Sequence, residues 1–181
     1  MTRKVEVVPY CPDWPVQFEA EAQTLRQVFG GQLLTIHHFG STSIPGMKAK
    51  PIIDILAIVG DINQVDELNQ KLEQLGYHGV GEYGISGRRF FYKGSYDVRT
   101  HHLHVYEASN PNVLRHLAFR DYMRSHPEAA QKYSELKDAL AKRFPDDMES
   151  YIEGKNEFVK DQEKCALDWW ARSPHEKVGA G

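Results

Sequence analysis

Cysteine is scarce in this sequence: only Cys11 and Cys165 occur, far apart and outside any CxxC spacing. A disulfide framework and a structural zinc site therefore both lack their ligands, and the two thiols read as ordinary reduced cysteines. A surplus of positive charge is missing too. Lys and Arg number 22 against 25 Asp and Glu, a formal net charge of -3, so stable DNA binding is not expected, although a local basic pocket remains open. Long apolar runs are absent. The most apolar segment, Pro51 to Gly60, is about half a membrane span and carries Asp54, and Met1 to Tyr10 lacks the apolar core of a signal peptide. These absences imply a soluble, cytoplasmic protein without a membrane partner. With 181 residues, 41% of them hydrophobic and 26% charged, the chain suits one compact domain over residues 1–172, with a fraying tail at 173–181.

The punctuation of the chain predicts its elements. Asp13 and Pro15 open a helix that runs to about Phe29, where Gly30 and Gly31 stop it. Leu33 to Phe39 reads as a strand, followed by a turn from Gly40 to Gly46 that Lys48 and Lys50 make basic. The apolar residues of Pro51 to Val59 do not alternate, which predicts a central strand covered on both faces. Asp61 caps a helix carrying Val65, Leu68, Leu72 and Leu75 at the helical repeat, ending at Gly76. A loop over Gly81 to Gly87, a strand over Arg88 to Lys93, a turn over Gly94 to Arg99 and a strand over His101 to Glu107 follow. From Asn110 onward three helices are expected, two of them opened by Pro111 and Pro127 and the third following Pro145. The architecture expected is α/β (α+β), a small mixed sheet with a helical C-terminal half packed across it.

Within this frame, an ionised Asp54 on a doubly covered strand needs a cation, several donors or a shifted pKa. It reads as a metal ligand or catalytic carboxylate, or as a structural ion-pair partner of Lys50 or a nearby arginine. Gly40, Ser41 and Thr42 stand between two strands, where small residues let backbone N–H groups and hydroxyls approach a phosphate; an ordinary turn fits the same letters. His102 and His104, two apart on a strand, project from one face and can join Asp54 in a His, His, Asp set for a divalent ion; hydrogen bonding to phosphate is the other reading. His38 can face the same pocket, but a lone histidine is ordinarily a core or edge residue. Of Arg88 and Arg89, strand parity sends one toward a pocket and the other away, unless both simply face solvent.

The stretches Val8-Pro9-Tyr10 with Trp14-Pro15, His38 to Gly46, Lys50 to Ile55, Gly87 to Phe91, His102 to Val105 and Leu117 to Tyr122 together resemble the GrpB family, over about Val5 to Phe158. That resemblance implies a nucleotidyltransferase-like fold, in which a Gly-Ser turn holds nucleotide phosphates and acidic residues on the next strands bind divalent metal. It implies Ser41 in the phosphate turn and Asp54 as the first metal-binding and catalytic carboxylate. A third acidic position on a later strand is replaced by the His102, His104 region, so the His, His, Asp set read from the spacing would hold a single Mg, Mn or Zn ion. Gly40, Ser41, Thr42, Lys50, Arg88 and Arg89 are the implied contacts to the phosphates. Arg120, Lys137, Tyr151 and Lys155 would line the opposite wall, Tyr151 and Lys155 being one helical turn apart. Leu56 stands where such folds carry a second acid, so a two-magnesium ligand set is incomplete. The implied function is binding of a nucleotide or other phosphorylated small molecule, with metal-assisted nucleotidyl or phosphoryl transfer. The alternatives are a non-catalytic binding module and a metal-dependent hydrolase.

Overall fold

The structure is a computed structural model that describes residues 3–173. The tail expected from residue 173 lies, apart from Ser173, outside the described residues. Helix α1 (Trp14–Phe29) precedes strand β1 (Leu33–Phe39), a single 3-10 turn (Ser41–Ser43) and strand β2 (Ile53–Val59). A 3-10 segment (Ile62–Leu68) and helix α2 (Asn69–Gln74) lead to β3 (Tyr77–Gly79), β4 (Arg89–Gly94) and β5 (Arg99–Glu107). The chain then folds into α3 (Pro111–Ser125), α4 (Pro127–Arg143) and α5 (Met148–Arg172).

The five strands form one mixed sheet in the order β1-β2-β5-β4-β3. Strands β2 and β5 are parallel at its centre, and all other neighbours are antiparallel. The unalternating run of β2 is explained by its burial: Ile53, Ile55, Ala57 and Val59 face α1, while Leu56 and Ile58 face Phe39 and Tyr106 beneath α3. Trp14, Phe18, Leu25 and Phe29 of α1 are buried on the first face, each contributing roughly 2 kcal/mol by leaving water. The second face is covered by the C-terminal helices, with Ile44, Met47, Met123 and Tyr133 packed together. The fold is the small mixed sheet with a helical C-terminal half that the sequence predicts.

Three local expectations change. Asp61 caps as expected, accepting from Asn63 N at 2.9 Å, but Ile62–Leu68 winds as a 3-10 segment and only Asn69–Gln74 is α-helical. The buried set Val65, Leu68 and Leu72 is served by either winding, so the apolar repeat could not distinguish them. A short edge strand, β3, appears where the sequence shows no alternation. Strand β5 begins at Arg99 rather than His101, because the pairing of Lys93 with His101 and of Gly94 with Arg99 leaves Thr100 as the extra residue of a bulge.

Candidate functional site

The register sets the site. Asp54 pairs with Phe39 and His102, and His104 pairs with Phe90, so these side chains share the face covered by the C-terminal helices. Gly40 follows β1 with φ 72°, a conformation that favours glycine, and a Cβ there would collide with the Asp54 carboxylate. The 3-10 turn is pinned by Ser43, whose N–H and hydroxyl both donate to Gly40 O, and by Thr42, whose hydroxyl lies 2.9 Å from His38 Nε2 and donates to Ile52 O. Ser41 Oγ is left facing the cavity, 2.7 Å from Lys137 Nζ.

Asp54 Oδ1 stands 3.5 Å from His102 Nδ1 and 3.6 Å from His104 Nε2. Burial pushes this carboxyl up, and the two imidazoles facing it more than reverse that, holding it well below the usual carboxylate range. Burial lowers both imidazoles despite the pull of Asp54, so they favour the neutral form that binds metals. One donor atom from each of the three residues lies within 4.8 Å of the others, and His104 Nε2 is buried without a hydrogen-bond partner. This donor set fits a single borderline ion such as Zn²⁺ better than Mg²⁺, which prefers oxygen throughout.

Three lysines complete the wall. Lys50 comes from the segment before β2, Lys137 from α4 and Lys155 from α5; together with Ser41, Thr42, Asp54, His102 and Tyr151 they line a cavity of 210 Å³. None of the three forms an ion pair among the described residues. Lys50 and Lys155 lie 5.4 and 5.2 Å from the Tyr151 ring centroid, and the Tyr151 hydroxyl is buried without a partner. Lys137, 2% exposed, sits 4.3 Å over the Tyr133 ring. Burial, with Lys155 and Lys50 nearby, lowers Lys137 to about 6; burial, with Lys155 and Arg3 nearby, lowers Lys50 to about 7.

The structure thus brings together Gly40, Ser41, Thr42, Lys50, Asp54, His102, His104, Lys137, Tyr151 and Lys155. The remaining arginines go elsewhere. Arg89 corrects the expected phosphate contact: its parity sends it to the opposite face, where it pairs with Asp66 at 2.8 Å. Arg120 is buried between α3 and β1, donating to Asp121 and to His38 O, and does not line the cavity. Arg88 does not line it either; it reaches across the Phe90 ring to within 3.4 Å of His104 Nδ1 and donates to Glu82 O and Tyr83 O. His38 faces the other layer, stacked on Phe18. Arg99, missed in the sequence, stacks on Tyr92 and lies 3.4 Å from His102 Nε2. Plain alternation puts Arg99 on the face away from His102, and the bulge at Thr100 turns it back. Lys50 and Ile52 also line a neighbouring cleft of 640 Å³, together with Arg3, Asp97, Arg99 and Met148.

Comparisons with known proteins agree with this architecture. The family model described as GrpB protein matches residues 4–164. UPF0157 protein YqkA of Bacillus subtilis is 48% identical over 92% of this chain and 48% of its own length. UPF0157 protein PA4798 of Pseudomonas aeruginosa is 43% identical over 86% of this chain and 65% of its own length. The chain therefore spans about half to two-thirds of these relatives. The crystal structure of conserved protein GrpB from Enterococcus faecalis superposes with a TM-score of 0.89 at 46% identity, covering 92% of this chain and 99% of that one. At the level of fold alone, Cid1 poly(U) polymerase, solved bound to MgATP, aligns with a TM-score of 0.53 at 12% identity over 76% of this chain and 45% of its own. The match along nearly the whole described chain, on the same sheet and helices, leaves one assignment: this chain belongs to the GrpB family.

Proposed function

We propose that the protein binds a nucleotide or other phosphorylated small molecule in the cavity between sheet and helices, and catalyses metal-assisted nucleotidyl or phosphoryl transfer there. The observation that carries this reading is the convergence of Lys50, Lys137 and Lys155, none in an ion pair among the described residues, with the hydroxyls of Ser41 and Tyr151 around 210 Å³. Lysines buried without carboxylate partners resist protonation in the free protein, and a phosphate group accepts hydrogen bonds from them and supplies a countercharge for those that carry a proton. Asp54, His102 and His104 would hold one divalent ion beside it, whose chemistry is Lewis-acid neutralisation of phosphate charge. The chain's own residues orient the phosphate from the turn, balance its charge from the helices and exclude water beneath Tyr151. The likeness in fold to Cid1 supports the reaction class, and Leu56 removes the second carboxylate of a two-magnesium scheme.

A second reading rests on the arginines behind the imidazoles. A guanidinium donates only, so Arg99 facing His102 Nε2 and Arg88 facing His104 Nδ1 favour the tautomers whose N–H groups point at Asp54. In that state Asp54 is an anion faced by two imidazole N–H groups at 3.5 and 3.6 Å, and the protein is a phosphate-binding module without metal chemistry. Calorimetry with nucleoside triphosphates, with and without Mn²⁺ or Zn²⁺, separates the readings. Metal-dependent binding lost in Asp54→Ala supports transfer, metal-independent binding supports the module, and tight binding indifferent to Asp54→Ala refutes the site.

A further inference from the structure

Ser41 and Lys137 form a pair that phosphate binding alone does not require. The serine stands at the sharp exit from β1, half-buried and facing the cavity, and its Oγ is 2.7 Å from a lysine amine buried on α4. Several groups face that amine. They are Tyr133 on its own helix, Tyr151 and Lys155 on α5, Lys50 from the segment before β2, and Asp54 on β2. Burial, with Lys155 and Lys50 close by, disfavours a third positive charge and outweighs the opposing pull of Asp54, which forms no ion pair with Lys137. An amine kept neutral has a lone pair and can accept the Ser41 proton, the arrangement by which Ser-Lys pairs generate a nucleophile.

We propose that Ser41 is a nucleophile with Lys137 as its base, so that transfer passes through a Ser41 phosphoester. This deepens, and rests on, the reading that the cavity takes a phosphate ester or anhydride. In the step, Ser41 Oγ forms a bond to phosphorus as the bond from phosphorus to the leaving oxygen breaks. The leaving group keeps the electron pair, an alkoxide that takes up a proton in the case of an ester and a phosphate or pyrophosphate in the case of an anhydride, and the hydroxyl proton moves to Lys137 Nζ. For a nucleoside triphosphate attacked at its α-phosphorus, the products are nucleotidyl-Ser41 and pyrophosphate. An acceptor hydroxyl or water then attacks the phosphorus and gives up its proton as Ser41 Oγ leaves with its electron pair and takes a proton back from Lys137.

The test uses two probes on the whole chain. A fluorophosphonate carries electrophilic phosphorus and needs neither nucleotide nor metal; attack by Ser41 releases fluoride. Peptide mass spectrometry should place one label on Ser41, formed faster as pH rises through about 6 and slowed about 100-fold or more in Lys137→Met. Ser41→Ala should lose it, and Ser41→Thr, which keeps a hydroxyl, is the check should the alanine variant misfold. Incubation with ATP radiolabelled at the α-phosphate and Mn²⁺ should then leave AMP on the same serine. Labelling elsewhere, or labelling of Ser41 unchanged in a folded Lys137→Met protein, overturns the proposal. Calorimetric binding of ATP with no adduct from either probe also overturns it, while leaving the phosphate-binding reading intact.

Discussion

Replacing Lys137 by methionine should make the protein more stable, by an amount that depends on pH. Lysine in an unfolded chain titrates near 10.4, whereas burial beside Lys155 and Lys50 lowers Lys137 to about 6 in the fold. Between these values only the unfolded chain binds the proton, so the free energy of unfolding rises by about 1.4 kcal/mol per pH unit. Below about pH 6 both states are protonated and the cost of burying the charge is complete; it disappears as pH rises toward the unfolded value. Methionine has similar length and no proton to lose, and it forgoes one hydrogen bond to Ser41 worth roughly 1 kcal/mol. The advantage of Lys137→Met over the wild type should therefore shrink by about 3 kcal/mol between about pH 6.5 and 8.5. For a domain of this size that is on the order of 6–12 °C in relative Tm. Lys50 remains in both proteins, so its own slope largely cancels in the difference. Urea unfolding at the two pH values measures the effect. A difference between the proteins that stays constant with pH would refute the reasoning.

Gly40→Ala combines a strained positive φ with a collision against the Asp54 carboxylate, and should cost about 2 kcal/mol or more of stability; chemical denaturation checks it, and an effect under about 0.5 kcal/mol would contradict the close approach. Arg89→Ala removes an ion pair whose Asp66 partner is exposed, worth at most about 1 kcal/mol, and a hydrogen bond to Arg88 O, and should leave ATP affinity within twofold, while Arg99→Ala should weaken it. Titration of both variants by calorimetry decides, and equal losses would contradict the assignment of faces. Gly154→Leu should loosen α5 from α4, because even a Cβ at position 154 meets the Leu140 methyls; a loss of about 1–3 kcal/mol in thermal unfolding is expected, and an unchanged Tm would count against that packing.

Much of the site was legible because side-chain parity on strands is rigid. The HxH spacing put His102 and His104 on one face without reference to any partner, and the continuous apolar run of β2 marked Asp54 as a carboxylate in a covered strand. Gly40 could be named from its letter, but its reason, the proximity of Asp54 from the paired strand, is tertiary. Arg99 was hidden because one inserted residue reverses parity, and nothing local in Thr100 announces a bulge. Arg88 and Arg89 show the converse limit: adjacent residues must part, but which one turns to the site depends on where pairing begins, at Arg89 here. Lys50 is legible beside the turn and Asp54, whereas Lys137 and Lys155 follow only from the resemblance, since an isolated lysine on a helix ordinarily faces water and their convergence with Lys50 depends on how three segments dock.

The cavity has two halves of different origin: its acid, imidazole and hydroxyls belong to the sheet and its first turn, and Lys137, Tyr151 and Lys155 belong to the last two helices. An anion held between them acts as a staple joining segments nearly a hundred residues apart in sequence, as the Ser41–Lys137 contact already does. Occupancy should accordingly be felt as slower amide exchange along α4 and α5, and escape of the ligand becomes tied to the rate at which those helices breathe away from the sheet.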